Sequence, residues 1–308
     1  MHTAYLTHPL CRKHEAGPFH PECPERLAAI DDRLHAAHLY DHLHHFHQST
    51  QASRDELLRV HDAAYVDRIF ALAPTAGLIQ LDPDTAMNPH SLGAALHAAG
   101  AAIEAVERVI GGEVQNAFCA VRPPGHHAGR ASSGGFCIFN NVACAAAHAL
   151  EAHGLARLAI VDFDVHHGNG TEEIFRNDPR VLFVSTFQHP FYPHCGADTV
   201  SDHIVNVPLP AGTTGAAYRE AFEARVLPAL ERFRPELILL SAGFDGHRED
   251  DMAHFNLVEA DYAWITEQVR AVARAHAADR IVSVLEGGYH LNALGRSAAA
   301  HIKALAGL

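Results

Sequence analysis

Five short runs of almost continuously apolar residues constrain this chain most: AFCAV (117–121), LAIVDFD (158–164), VLFVST (181–186), ELILLSA (236–242) and RIVSVLE (280–286). A strand that is apolar on both faces must be covered on both, as in a parallel sheet with helices above and below it. Segments with helical spacing lie before, between and after these runs, at 89–110, 140–153, 214–233, 259–277 and 292–306. Strand–helix alternation predicts an α/β fold: a doubly wound, mainly parallel sheet flanked by helices, with right-handed crossovers. No repeat, low-complexity linker or shift of composition divides the 308 residues, so residues 1–308 are read as a single domain.

Composition narrows the function classes. A hydrophobic content of 48% supplies a sizeable core and argues against disorder. The net charge of −13 argues against a nucleic-acid binder, which needs a basic face. No uninterrupted apolar stretch approaches the length of a membrane span. The start, MHTAYLTHPLCRKHE, has no apolar region after a basic one, so export by that route is not expected. The six cysteines form no CxxC pair, which reads as reduced thiols in a cytoplasm. Several of the 27 histidines (His35, His38, His42, His44, His45 and His47) share one polar segment, read as a solvated face.

The informative polar residues fall just after the strands. RPPGHHAG follows 117–121, VHHGNG follows 158–164, GFDGH follows 236–242 and GGYH follows 280–286. Ligands of open α/β sheets bind beyond the carboxyl ends of the strands, so four strands deliver His, Asp and Tyr to one edge. Asp164 and His166, one residue apart at a strand end, can face the same side. With Asp245 from a second strand end they make a mixed N/O set that suits zinc and leaves a position open for water and substrate. Taken alone, the Asp-x-His pair would read as strand-end caps.

His126 and His127 sit in a loop stiffened by Pro123 and Pro124, where they can address one centre from two angles. Histidine serves as base for an attacking water and as acid for a leaving amine. Asp162, on the same strand face as Asp164, can orient such a histidine. The bland alternative is a surface histidine pair. Tyr289, introduced by two glycines at a strand end, can donate a hydrogen bond to a developing oxyanion; the alternative is a core tyrosine.

With HPECPERL (20–27), RPPGHHA (122–128), GGFCIFNN (134–141), DFDVHHGNGT (162–171), SAGFDGH (241–247) and EGGY (286–289), the chain resembles the histone deacetylases and acetylpolyamine amidohydrolases of the arginase/deacetylase superfamily. The motifs occur in family order over nearly the whole chain and look most like the class II branch and its bacterial members. The resemblance implies one catalytic zinc on Asp164, His166 and Asp245, and His126 and His127 as the acid/base pair. It implies Tyr289 as carbonyl polariser, Asp162 beneath His126, and Asn169 as the partner of His127 where many members have Asp. An uncharged partner favours His127 as the base. Gly135 and Phe136 match one wall of the acyl tunnel, and Phe187 the opposite wall. A structural potassium is implied at an inner site matching Asp162, Asp164, His166, Ser185 and Thr186.

The implied reaction is hydrolysis of N-acetyl amides, most simply acetyl-lysine in proteins or peptides, with acetylpolyamines as the alternative substrate. Seven residues after Asp245, where the polyamine-selective branch can carry Glu, this chain has Met252, preceded by Glu249, Asp250 and Asp251. Asp82 or Asp84 is expected either to grip the substrate backbone at the rim or to form a loop turn. Two rivals stand beside this reading: an arginase-like enzyme with two manganese ions, and a non-enzymatic acyl-ligand sensor or scaffold. The resemblance is compatible with a monomer or a homo-oligomer.

Overall fold

A computed structural model describes residues 2–308. Among the described residues ten strands are present: β1 (Thr3–Leu6), β2 (Leu43–Phe46), β3 (Ile79–Asp82), β4 (Thr85–Met87), β5 (Asn116–Cys119), β6 (Leu158–Asp162), β7 (Val181–Gln188), β8 (Ile204–Leu209), β9 (Leu237–Ala242) and β10 (Ile281–Leu285). Eight of them form one sheet in the order β2-β1-β5-β10-β9-β6-β7-β8, and every pairing in it is parallel. β3 and β4 make a separate antiparallel hairpin. The doubly wound parallel sheet is therefore present, and the five apolar runs are five consecutive strands of it, β5, β10, β9, β6 and β7.

The strand order positions the site. β5, β10, β9 and β6 are consecutive neighbours, and their ends are in step: Cys119 pairs with Val284, Leu285 with Ala242, and Ser241 with Asp162. Four polar loops therefore leave the same edge of the sheet at the same level. Every residue of these four strands is buried, with helices packed on both faces. On helix Ser91–Ile110 half of the buried residues are alanine. Small side chains let it approach closely: a Cβ on Gly100 would lie 2.0 Å from the carbonyl oxygen of Thr50. Helix Asn141–Ala152 starts where the Asn140 side chain accepts the Ala143 N–H at 3.0 Å.

Three features differ from the sequence reading. The helix expected over 214–233 contains a π-turn at Phe222–Val226 between Gly215–Ala221 and Leu227–Phe233. Pro228 has no N–H to give the turn before it, and a widened turn accommodates that loss. The histidine-rich segment holds the edge strand β2, although His35, His38, His42, His44 and His47 remain exposed and only His45 is half-buried, stacked on Tyr40 at 3.9 Å. The outer strands β1 and β8 also went unread. All six cysteines are free, and among the described residues no helix is long and apolar enough to cross a membrane.

Candidate metal centre and active-site cavity

β6 ends at Asp162, and the chain then runs Phe-Asp-Val-His beneath the ends of β9 and β10. The structure brings Asp164, His166 and Asp245 together, all buried, with one donor atom of each within 4.8 Å of the others. The Nδ1 of His166 lies 3.1 Å from Asp164 Oδ1 and 3.1 Å from Asp245 Oδ2. One ring nitrogen carries at most one proton, so it cannot donate to both. Glycines make the space: a Cβ on Gly287 would lie 2.0 Å from Asp245 Oδ2 and 2.7 Å from Asp164 Oδ2, and one on Gly243 2.0 Å from Asp164 Oδ2.

Two carboxylates against one imidazole leave an excess of buried negative charge. Its effect is visible in the titrating groups. Burial and the charge of Asp164 push Asp245 up to about 6. Burial alone would lower His166, but the two carboxylates outweigh it and raise the ring to about 10. A cation removes the conflict, and one nitrogen with two carboxylate oxygens suits a divalent metal. A second carboxylate–imidazole group, Glu107, His148 and His153, has its charge answered differently, because Arg59 donates to His148 Nδ1 at 2.8 Å.

The tandem histidines are held from behind by Glu286, whose Oε2 accepts the N–H groups of Gly125 (2.7 Å) and His126 (3.1 Å). Burial pushes this carboxyl up to about 7. The sequence reading gave Glu286 no role beyond its motif. His126 Nδ1 lies 2.9 Å from Asp162 Oδ2, and His127 Nδ1 lies 2.7 Å from Asn169 Oδ1. The two partners separate the rings electrically. Burial would lower His126, but Asp162, Asp164 and Glu286 hold it well above the usual histidine range. Burial lowers His127, and the neighbouring rings of His126 and His166 push it further down. The amide oxygen of Asn169 can only accept, so neutral His127 keeps its proton on Nδ1 and offers Nε2 as a base.

In front of the metal-type centre lies a cavity of about 300 Å3. His127, His166 and Tyr289 line it together with Asp84, Gly135, Phe136 and Met252. Gly135 has φ +54°, and a Cβ there would lie 2.2 Å from the His127 ring, so only glycine fits. Its N–H donates to Asp84 Oδ1 at 3.1 Å, and the N–H of Phe136 to Thr85 Oγ1 at 3.1 Å. Asp84 thus combines the loop role with a place on the cavity wall. The Phe136 ring meets Tyr289 edge-on at 5.7 Å.

Phe187 is not the opposite wall. β7 continues through it, which leaves its ring buried in the sheet packing against His167 at 4.5 Å. The wall is supplied instead by Phe191, stacked on His166 at 5.7 Å, and Tyr192, edge-on to His127 at 5.1 Å. The aromatic pair in HPFYP, just past the strand, was the available signal. Of the acids before Met252, Asp250 is buried and bonded to backbone, and Glu249 pairs with Arg296 at 2.8 Å. Only Asp251 is left exposed and unpaired among them. Among the residues expected to hold a potassium, the Ser185 hydroxyl meets His167 Nδ1 at 3.0 Å and the Thr186 hydroxyl meets Tyr218 at 2.5 Å.

A parallel sheet of this order, with its polar loops gathered at one edge, has the arginase/deacetylase fold. The HD domain of HDA15, known from its crystal structure, superimposes with a TM-score of 0.90 at 34% identity, over 99% of this chain and 90% of that one. Residues 20–305 match the histone deacetylase domain. A probable deacetylase of Archaeoglobus fulgidus is 38% identical over 300 residues, 94% of this chain and 82% of that protein. The polyamine deacetylase HDAC10 of Mus musculus is 38% identical over 309 residues, 93% of this chain and 45% of that protein. The chain belongs to the histone deacetylase family.

Proposed function

We propose that the chain is a zinc-dependent amidohydrolase that removes acetyl groups from linear amides, with acetyl-lysine in proteins or peptides as its main substrate and residues 1–308 as one catalytic domain. The observation that carries this reading is the junction of three buried metal-type donors, a neutral histidine and a tyrosine at the end of one cavity. Asp164, His166 and Asp245 would hold the zinc, which polarises a carbonyl and acidifies water when bound. The cavity walls, Phe136 and Gly135 on one side and Phe191 and Tyr192 on the other, grip an aliphatic stem and exclude water around the amide. Tyr289 donates its hydroxyl to the carbonyl oxygen as charge develops there. His127 takes the proton of the attacking water on Nε2, and an imidazolium of the pair hands a proton to the departing amine. Asp162 and Asn169 fix the two ring orientations.

Met252 on the wall supports lysine-type acyl substrates over acetylpolyamines, because an apolar side chain offers a second ammonium group nothing. The pairing of Glu249 and the burial of Asp250 point the same way. The likeness to a polyamine deacetylase, together with the net charge of −13, keeps the polyamine reading as the competitor. Six free thiols support a reducing, cytoplasmic setting. A potassium at Asp162, Asp164, His166, Ser185 and Thr186 would stiffen the strand ends beneath the zinc.

Rates of the zinc-loaded protein on an acetyl-lysine peptide and on acetylated putrescine and spermidine test this. Faster peptide turnover is expected. Polyamine preference would overturn the Met252 argument, and no hydrolysis of any acylated amine would turn the reading toward a ligand sensor.

A further inference from the structure

Tyr289 stands on a turn whose own backbone does little to fix it. It follows Gly287 and Gly288, and Gly288 has φ +115°, a conformation that side-chain-bearing residues rarely adopt. The first half of the turn is tied to the metal-type centre, through the Gly287 N–H to Asp164 Oδ2 at 2.8 Å, and to Arg26, which donates to the Gly288 carbonyl at 2.6 Å. The second half, which carries the tyrosine, depends on Asp250. Its Oδ2 accepts the N–H of Tyr289 at 2.6 Å and that of His290 at 3.0 Å. Its Oδ1 accepts the N–H of Met252 at 3.0 Å. Asp250 is itself 4% exposed and anchored by its N–H to the His247 carbonyl at 2.9 Å.

Two residues that line the cavity, Tyr289 and Met252, therefore hang from the two oxygens of a single carboxylate. Charged acceptors make short, strong bonds to backbone N–H groups, and a buried one with three donors holds them rigidly. We propose that Asp250 is a positioning residue for the reaction: it sets the hydroxyl of Tyr289 over the substrate carbonyl and holds the Met252 wall at a matching depth. This rests on the role given to Tyr289 in the proposed hydrolysis.

Asp250→Asn removes half of the arrangement, because an amide has one accepting oxygen and its NH2 faces N–H donors on the other side. A merely structural loss would lower turnover by the same factor whatever stands at position 289. Loss through the tyrosine would not. The test is a double-mutant cycle on the zinc-loaded protein with an acetyl-lysine peptide: wild type, Asp250→Asn, Tyr289→Phe and both together, with kcat, KM and metal content measured for each.

The expected result is a fall in kcat of about 10-fold or more for Asp250→Asn with metal content unchanged, shrinking to about 2-fold or less once Tyr289 is already Phe, since groups acting as one unit are non-additive. Equal factors in both backgrounds would overturn the proposal. Asp250→Glu runs the same cycle with the charge kept and the carboxylate displaced, and it serves if the amide variant fails to accumulate. Full activity in Asp250→Glu would also overturn it, leaving only an influence of charge. If Tyr289→Phe alone leaves turnover intact, the tyrosine's assigned role fails, an outcome distinct from failure of the positioning role.

Discussion

Asn169 accepts the Nδ1 hydrogen of His127 at 2.7 Å, and an amide there leaves the ring without the charge that a carboxylate would lend it. Burial and the neighbouring rings already hold His127 below the ordinary histidine range. As the proposed base, His127 is therefore expected to stay neutral, and active, well into the acid region. Asn169→Asp places a carboxylate charge beside Nδ1 and raises the ring, so protonation removes the base at higher pH. The acidic limb of the kcat/KM profile is expected to move to higher pH in the variant. An unchanged limb would assign the base elsewhere.

Met252 sits on the cavity wall with no charged partner. Met252→Glu introduces a carboxylate facing the entering substrate and should shift the ratio of kcat/KM toward acetylspermidine over acetyl-lysine peptide by about 10-fold or more, the scale of one partly buried charge contact. The change should appear as a loss on the peptide and a gain on the polyamine. A ratio that stays put would separate this position from substrate choice.

His301 lies in the core behind the site, with its Nδ1 2.6 Å from the Thr266 hydroxyl and its Nε2 2.8 Å from that of Ser283, and burial lowers it from the ordinary 6.5 to about 3. The native ring stays neutral where the unfolded one takes up a proton. Its contribution is full above pH 6.5 and declines as the pH falls toward 3. Between pH 6.5 and 5.5 this single group should cost about 1 kcal/mol of unfolding free energy. Urea titrations at those two values should show a decline smaller by that amount in His301→Gln than in wild type. Parallel declines would place the acid sensitivity in other groups, such as His61, which burial lowers to about 4.

The centre of the fold was legible in the residues because strands covered on both faces are written as apolar runs, and the motif loops follow those runs directly. The edges were not. β2 carries His44 and His45 beside water, and β8 is interrupted by Asn206 and Pro208, so neither shows an alternation or a run that separates it from loop. Asp164, His166, Asp245, His126, His127 and Tyr289 could be named because each stands in the loop that follows a strand. Phe187 was misplaced because β7 runs two residues further than its β-branched core suggests, which turns that ring into the sheet and leaves the wall to Phe191 and Tyr192. Asp250 and Glu286 act on backbone N–H groups distant in sequence, and such contacts leave no local pattern to read.

The central claim is a single metal ion on Asp164, His166 and Asp245 that the hydrolysis requires. Metal content and acetyl-lysine peptide turnover, measured together in wild type and in Asp164→Ala, test it most directly. The account predicts one tightly held zinc per wild-type chain, with both the metal and the activity lost in Asp164→Ala. Hydrolysis that survives that substitution, or a stoichiometry of two metals per chain, would contradict it.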